Sequence, residues 1–442
     1  MSKPEKILLL NLPRWTDSAP VAREECAYGP SFALPIPNTL LNIGSTLKGK
    51  AHVRLHDAAL ENTGFDRIET LLDEYRPDAV VTTILNYTLS YESRIAGMCA
   101  SRGIKCIAVP APIGCHEQTA TAGPFYFVVH NEPEKTILDW VDGTPVEELR
   151  GAAYLSNGTV ITNKRRDPYF GSIPETDWSL IPKVADYGWL LYQVSRNCRW
   201  GCKFCVWATG QPQFKRVDVV MRDLEYLKRN TRGHIGLLSA SITQDREWFD
   251  EMMLRLPALR IRFGTDIRAD EVTRDDLKAL KRAGCRRVLL GVESLSQQIL
   301  EAVNKRETVE RNIQAIRWCN EVGLPVDATL IFNLGETDED AREYARLIMR
   351  AKPTRVIPLV YKFIPGTRRI DDTPLVEKHF WGSDPLPTRE GVADALRRID
   401  MFKQLVMPLR RRVIPWYIAR PSLWGSLIEE ASIRFRSKYQ KK

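Results

Sequence analysis

The sequence predicts an α/β protein with a Rossmann-like amino-terminal domain, a curved and incomplete (β/α)6 barrel, and a helical carboxyl-terminal tail. Three observations carry that reading. Over the first part of the chain short apolar runs alternate with amphipathic stretches, as in a sheet covered by helices on both faces. A hairpin signal and a polar, proline-containing stretch then interrupt the alternation. Afterwards it resumes and repeats six times before a basic tail, in which Leu409 to Lys442 holds nine Lys or Arg against Glu429 and Glu430.

In order along the chain, the first domain (1–145) contains candidate strands at Lys6–Leu12, His52–His56, Asp78–Ile84, Ile104–Val109 and Phe125–Val129. Helical spacing of apolar residues marks Thr39–Leu47, Phe65–Tyr75, Tyr91–Ser101 and Pro133–Val141. A connecting region (146–188) opens with AAYLSNGTVIT, two β-prone runs around Asn157-Gly158, a pair that accepts the positive φ of a tight turn. The barrel (189–370) has expected strands at Leu190–Arg196, Ile235–Ser239, Arg260–Gly264, Arg287–Val292, Val326–Phe332 and Arg355–Phe363, with helices such as Val217–Arg229, Arg274–Ala283, Val309–Val322 and Asp338–Ala351 between them. Reacting groups in such a barrel belong on loops at the carboxyl ends of the strands. The last region (371–442) interleaves its basic residues with Trp416, Tyr417, Trp424 and Phe435. Helical packing of those aromatics is favoured there over a surface for nucleic acid or anionic lipid.

Bulk properties narrow the function classes. The 442 residues are 44% hydrophobic and 27% charged, ordinary for a globular protein, and no apolar run approaches the ~18 residues that cross a bilayer. The start, MSKPEKILLL, runs into a strand with no cleavage site, so the cytoplasm is the expected compartment. There the nine cysteines are expected free, metal-bound or catalytic instead of paired. Cys99, Cys106, Cys26 and Cys115 read as core or loop thiols, the last two in exposed loops.

SRNCRWGCKFC follows the first barrel strand and places Cys198, Cys202 and Cys205 in C-x3-C-x2-C spacing. A structural zinc site wants four protein ligands, and no fourth Cys or His lies nearby. Three thiolates on a 4Fe-4S cubane leave one iron open to another ligand. This arrangement, with Phe204 before the third cysteine, resembles the radical S-adenosylmethionine (SAM) superfamily. GVES (Gly291 to Ser294), LEAVNK (Leu300 to Lys305), IFNLGETDED (Ile331 to Asp340) and FIPGT (Phe363 to Thr367) extend the likeness over Ile173 to Thr367. The resemblance implies a 4Fe-4S cluster as metal centre on the three cysteines. It also implies SAM contacts from Glu293, Ser294, Arg268, Phe204 and Ser239. Two places depart from the pattern: Ser239-Ala240-Ser241 stands where acidic residues are common, and Asn333-Leu334-Gly335-Glu336 replaces G-x-P-G-E.

A Rossmann-like domain before such a barrel resembles the cobalamin-binding radical SAM enzymes. By that likeness the corrin contacts are Asn11, Pro13, the Leu85-Asn86 step, Ile113, Gly114 and Asn131. A Gly-Gly pair common in the family is replaced by Pro110-Ala111-Pro112-Ile113-Gly114, and the D-x-H-x-x-G motif is absent. The implied activity is reductive cleavage of SAM and methylation of an unactivated carbon by a cobalamin-dependent C-methyltransferase. The alternatives are a radical cyclisation or rearrangement without methyl gain, and a cluster- or corrinoid-binding protein without turnover. The implied partners are a small-molecule or peptide substrate and a one-electron reductant such as flavodoxin or ferredoxin, without nucleic acid.

Overall fold

The structure, a computed structural model, describes residues 3–14, 34–85, 88–111, 113–187, 190–208, 210–232, 234–361, 394 and 396–406. Two compact units result, one from Met1–Val194 with Gln213–Gly233, the other from Ser195–Pro212 with His234–Phe363. The basic stretch from Leu409 onward and Cys26 lie outside the described residues. Among the described residues no helix is long and apolar enough to cross a membrane.

In the first unit β1 (Lys6–Asn11), β2 (His52–Asp57), β3 (Ala79–Leu85), β4 (Lys105–Ala111) and β5 (Phe127–Val129) are parallel and ordered β2-β1-β3-β4-β5. The order reverses direction between β1 and β3, as in a doubly wound sheet. Parallel strands buried on both faces read as near-continuous apolar runs, and KILLLN in β1 shows why. Ile7 and Leu9 pack on one face with Leu40, Ile43, Ile137 and Trp140. Leu8 and Leu10 pack on the other with Ile68, Leu72, Ile95 and Cys99.

The expected hairpin forms as β6 (Ala152–Ser156) and β7 (Thr159–Thr162), with positive φ at both Asn157 and Gly158. It pairs antiparallel with β5 and so extends the first sheet. Cys115, expected in an exposed loop, is instead fully buried, because a turn of 3-10 helix at Ile113–Cys115 folds its thiol inward. β8 (Leu190–Gln193), β9 (Ser195–Arg196) and β10 (Gln213–Phe214) follow in the chain.

Buried polar groups close the first unit. Asp223, on helix Val217–Asn230, accepts hydrogen bonds from Thr176 N (3.2 Å), Thr176 Oγ1 (2.7 Å), Trp178 Nε1 (3.0 Å) and Tyr192 Oη (2.6 Å). Lys215 Nζ donates to Asn42 Oδ1 at 2.9 Å and lies 4.6 Å above the Tyr192 ring. Such groups hold only when satisfied, since a stranded donor keeps its full desolvation cost.

The second unit contains β11 (Ile235–Leu238), β12 (Phe263–Ile267), β13 (Cys285–Glu293), β14 (Val326–Phe332) and β15 (Arg355–Val360), parallel and adjacent in chain order. Helices Arg246–Leu259, Arg274–Ala283, Val309–Val322 and Asp338–Ala351 separate them. Capping fixes their starts: Thr273 with Asp276 and Thr337 with Asp340 form reciprocal capping boxes. Gly284 closes Arg274–Ala283 at φ 105°, where a Cβ would stand 2.2 Å from the Ile261 carbonyl oxygen. The expected strand Arg260–Gly264 forms later, at Phe263–Ile267. Arg260 is taken by the left-handed cap of the preceding helix, so the strand begins on the alternation Phe263, Thr265, Ile267.

Two predictions follow from the first unit. Asp223→Ala strands four donors and should cost about 3 kcal/mol or more of stability, seen as an earlier urea transition by circular dichroism. Glu92 is fully buried, accepting from Leu85 N (2.5 Å) and Thr88 Oγ1 (2.8 Å), and burial raises its carboxyl from 4.5 to about 8. The folded state therefore holds this proton where the unfolded state has lost it. Stability from this group is complete below pH 4.5 and falls as pH rises to about 8, at up to ~1.4 kcal/mol per pH unit. Glu92→Gln should flatten that slope in urea titrations across the window.

Candidate functional site

The cysteines lie on the loop after β9, within the second unit. Cys198 and Cys202 are buried, at 8% and 6% exposure, and Cys205 is half-buried. The loop is tightly turned, with Cys205 N donating to the Cys202 carbonyl at 3.2 Å. It is also pinned from outside: Lys203 N donates to Val303 O at 2.9 Å and Asn304 Nδ2 to Gly201 O at 2.7 Å.

Two side chains aim N–H groups at the sulfurs. Gln244 Nε2 lies 3.3 Å from Cys198 Sγ and accepts Arg199 N on its Oε1 at 3.3 Å. Arg268 Nη1 lies 3.7 Å from Cys202 Sγ. Burial raises the Cys198 thiol and pushes Cys205 up to about 12, with the neighbouring cysteines adding to the rise. Thiols so desolvated yield their protons to a metal, which is how metal binding couples to proton release. Among the described residues no three His, Cys, Asp or Glu side chains form a group that could take a metal ion. A cubane poses a different demand, three thiolates on three separate irons, and three clustered thiols with N–H donors on two of them fit it.

The strands place further groups by register. Asp266 pairs with Leu289, Leu289 with Asp327 and Gly291 with Thr329, so these residues share one face of the sheet. On β13 the alternate residues Val288, Leu290 and Val292 are fully buried, whereas Leu289, Gly291 and Glu293 are partly exposed. The second set therefore looks onto open space. Deep on this face Asp327 pairs with Arg287 (3.3 Å) and Arg355 (2.5 Å). Desolvation raises the Asp266 carboxyl to about 7.

At the carboxyl end of β13 a register irregularity between Gly291 and Glu293 puts Glu293 at φ 64°. A non-glycine residue held there marks a site whose geometry is imposed by its surroundings. The Glu293 carboxylate stands 4.0 Å from Lys305 Nζ, and burial raises its pKa against the pull of Lys305 and a Thr329 hydrogen bond. Gly291 leaves the room: a Cβ there would lie 2.6 Å from Glu293 Oε1 and 3.3 Å from Lys305 Nζ.

The other residues singled out from sequence are placed as follows. Arg268 is 4% exposed, held by Asp270 (3.1 and 3.2 Å) and stacked 4.6 Å over the Trp200 ring. Its guanidinium is thus engaged within the protein, next to a cysteine. Ser294 is fully buried, its hydroxyl bonded to Tyr344 Oη at 2.6 Å and accepting Ser296 N at 3.1 Å. Ser239 accepts from Ser195 Oγ at 2.7 Å. Phe204 packs on Ile299, Val303, Leu334 and Tyr361. Glu336 binds the backbone N–H groups of Asn333 (2.8 Å) and Leu334 (2.9 Å), a loop-shaping role.

In the first unit Asn11 ends β1, Pro13 follows it, Leu85 ends β3, Ile113 and Gly114 follow β4, and Asn131 follows β5. Parallel strands put these at one edge of the sheet. Asn11 accepts from Thr83 at 2.9 Å, and both ends of the Asn131 amide bond the Arg166 backbone (2.9 and 3.1 Å). Asn86 lies outside the described residues. Sequence reasoning missed Gln244, Asp266 and Glu307. The last two carry the signal that could have found them, a carboxylate in an otherwise apolar or basic stretch, whereas nothing about Gln244 stands out.

Residues 192–348 match the family model of the radical SAM superfamily. That segment is a radical SAM domain, and the chain is an enzyme whose cofactors are a 4Fe-4S cluster and SAM. It is similar to an uncharacterized methyltransferase of Pyrococcus horikoshii, 26% identical over 82% of each chain. It is also similar to an anaerobic magnesium-protoporphyrin IX monomethyl ester cyclase of Cereibacter sphaeroides, 24% identical over 67% of this chain, and spans 53% of that protein. Among solved structures it shares a fold with the radical SAM methyltransferase TsrM from Kitasatospora setae with cobalamin and [4Fe-4S] cluster bound. The TM-score is 0.67 at 15% identity, over 82% of this chain and 73% of that one.

Cys202→Ala removes the thiol beside Arg268. After anaerobic reconstitution it should hold markedly less iron than the wild type and lack the broad charge-transfer absorption of a cubane, as measured by iron assay and visible spectroscopy.

Proposed function

We propose that this enzyme is a cobalamin-dependent radical SAM C-methyltransferase acting on an unactivated carbon. In this reading β1 to β5 belong to the Rossmann-like corrin domain, and β8 with β11 to β15 form the six-stranded partial barrel. The observation that carries the radical step is the pinned loop of three desolvated thiols with N–H donors on Cys198 and Cys202. Bound there, the cluster supplies the single electron that splits the carbon–sulfur bond of SAM.

The chain's own residues do the rest. Glu293, fixed at the strand end with Lys305 behind it, is placed to accept hydrogen bonds from the polar end of SAM. Gly291 keeps its carboxylate free to turn. Phe204 and its apolar neighbours exclude water from the cysteine loop. Arg268 acts on the cysteine side of the site. The corrin reading is supported by the switch between β1 and β3, where doubly wound sheets bind ligands, and by the cobalamin in the structure of TsrM. Asn11, Pro13, Ile113 and Gly114 border that edge. The cytoplasm, where thiols stay reduced, is the setting this chemistry suits, with a flavodoxin or ferredoxin as electron donor.

The similarity to a cyclase favours one second reading, ring closure without methyl gain. Expression with cobalamin available, followed by incubation of the reconstituted enzyme with methyl-labelled SAM and cell extract, separates the two. Methyl transfer predicts about one equivalent of corrinoid by absorbance and label in a product. Label that stays in methionine, with the SAM cleaved, supports cyclisation; a protein without corrinoid contradicts the methyltransferase reading.

A further inference from the structure

Glu307 follows the LEAVNK stretch and takes no part in the account above. Its side chain is fully buried. The carboxylate lies 3.0 Å from Arg268 Nη2 and 3.6 Å from Lys305 Nζ, with the Asp270 carboxylate beside it as a like charge. An acid buried this way is costly to desolvate, and it is held there against two cations that are themselves buried.

Its surroundings point to a use. Arg268 and Lys305 are both nearly inaccessible, at 4% and 3% exposure. Arg268 reaches Cys202 Sγ at 3.7 Å through Nη1 and bonds the Lys305 carbonyl at 2.9 Å through Nη2. Lys305 acts electrostatically on Cys205. The segment Val303–Glu307 also grips the cysteine loop through Lys203 and Asn304, with left-handed φ at Asn304 (56°) and Arg306 (58°). Asp270 and Glu293 are the other carboxylates on these two cations. Of these three among the described residues, Glu307 is the most deeply buried and the one within ion-pair distance of both cations.

We propose that Glu307 is a buried counter-charge that offsets the field of Arg268 and Lys305 at the cysteine loop and so sets the reduction potential of the cluster. The inference rests on the cluster reading. Reduction adds one negative charge to a group ringed by fixed charges. A cation in low dielectric favours that addition and an anion opposes it, with little screening by salt. Glu307 thus lowers the potential and Lys305 raises it.

The test is a potentiometric titration, followed by electron paramagnetic resonance, of anaerobically reconstituted full-length wild type, Glu307→Gln and Lys305→Met at pH 8.5. That pH is above the value of about 7 to which burial lifts the Glu307 carboxyl. With iron content unchanged, Glu307→Gln should increase the reduced-to-oxidised ratio at a fixed potential about tenfold, a rise of about 59 mV for one electron. Lys305→Met should shift it the opposite way. Should Glu307→Gln fail to take up iron, the Lys305→Met shift alone decides, and an unchanged potential there overturns the proposal. Wild-type potentials in both iron-loaded variants overturn it and leave the cluster reading standing. A wild-type chain that assembles no cluster overturns both.

Discussion

The interaction on which the site depends is the enclosure of a cysteine loop by charge. Cys198 and Cys205 stand where burial opposes ionisation, Cys202 is buried between them in the loop, and two inaccessible cations, Arg268 and Lys305, stand beside them. Neither arrangement is stable alone. Desolvated thiols stay protonated until a metal or a cation draws the charge out, and buried cations need counter-ions. Asp270, Glu293 and Glu307 supply those counter-ions from three different segments, so the charge group ties together the ends of β12 and β13 and the loop that follows.

The fold makes this enclosure possible through the geometry of parallel strands. Successive β/α units deliver their loops to the carboxyl ends of the strands, and that is where Gln244, Arg268 and Glu293 appear. Register decides what the open face carries. With Gly236 paired to Gly264, and Gly291 one pair from Asp266 and Leu289, small residues leave space where a helix-covered face would hold leucines. The strained φ of Glu293 belongs to the same logic, because the irregularity in β13 turns the carboxylate toward Lys305 instead of along the strand.

Much of this was legible in the sequence because it is written in local periodicity. Helices Phe65–Tyr75, Pro133–Val141, Arg274–Ala283, Val309–Val322 and Asp338–Ala351 form at the expected bounds, each with an apolar stripe and most with a recognisable cap. The cysteine spacing pointed to metal chemistry for a similar reason, since the three candidate ligands are neighbours in the chain. Tertiary contacts are not local and were less legible. Arg260 belongs to a helix cap in place of a strand, and Cys115 is buried by a turn its neighbours do not advertise. The hydrogen bond of Ser294 to Tyr344, fifty positions away, has no local signal. The same holds for the contacts of Arg268 with Asp270 and Glu307.

The central claim is that the three thiolates leave one iron of a cubane open to SAM. The most direct measurement is the paramagnetic resonance spectrum of the reduced, reconstituted enzyme with and without SAM isotopically labelled in its amino and carboxylate groups. The account predicts a changed spectrum and a hyperfine coupling from the label to the cluster. A spectrum indifferent to SAM, or a centre occupied by zinc, would contradict it.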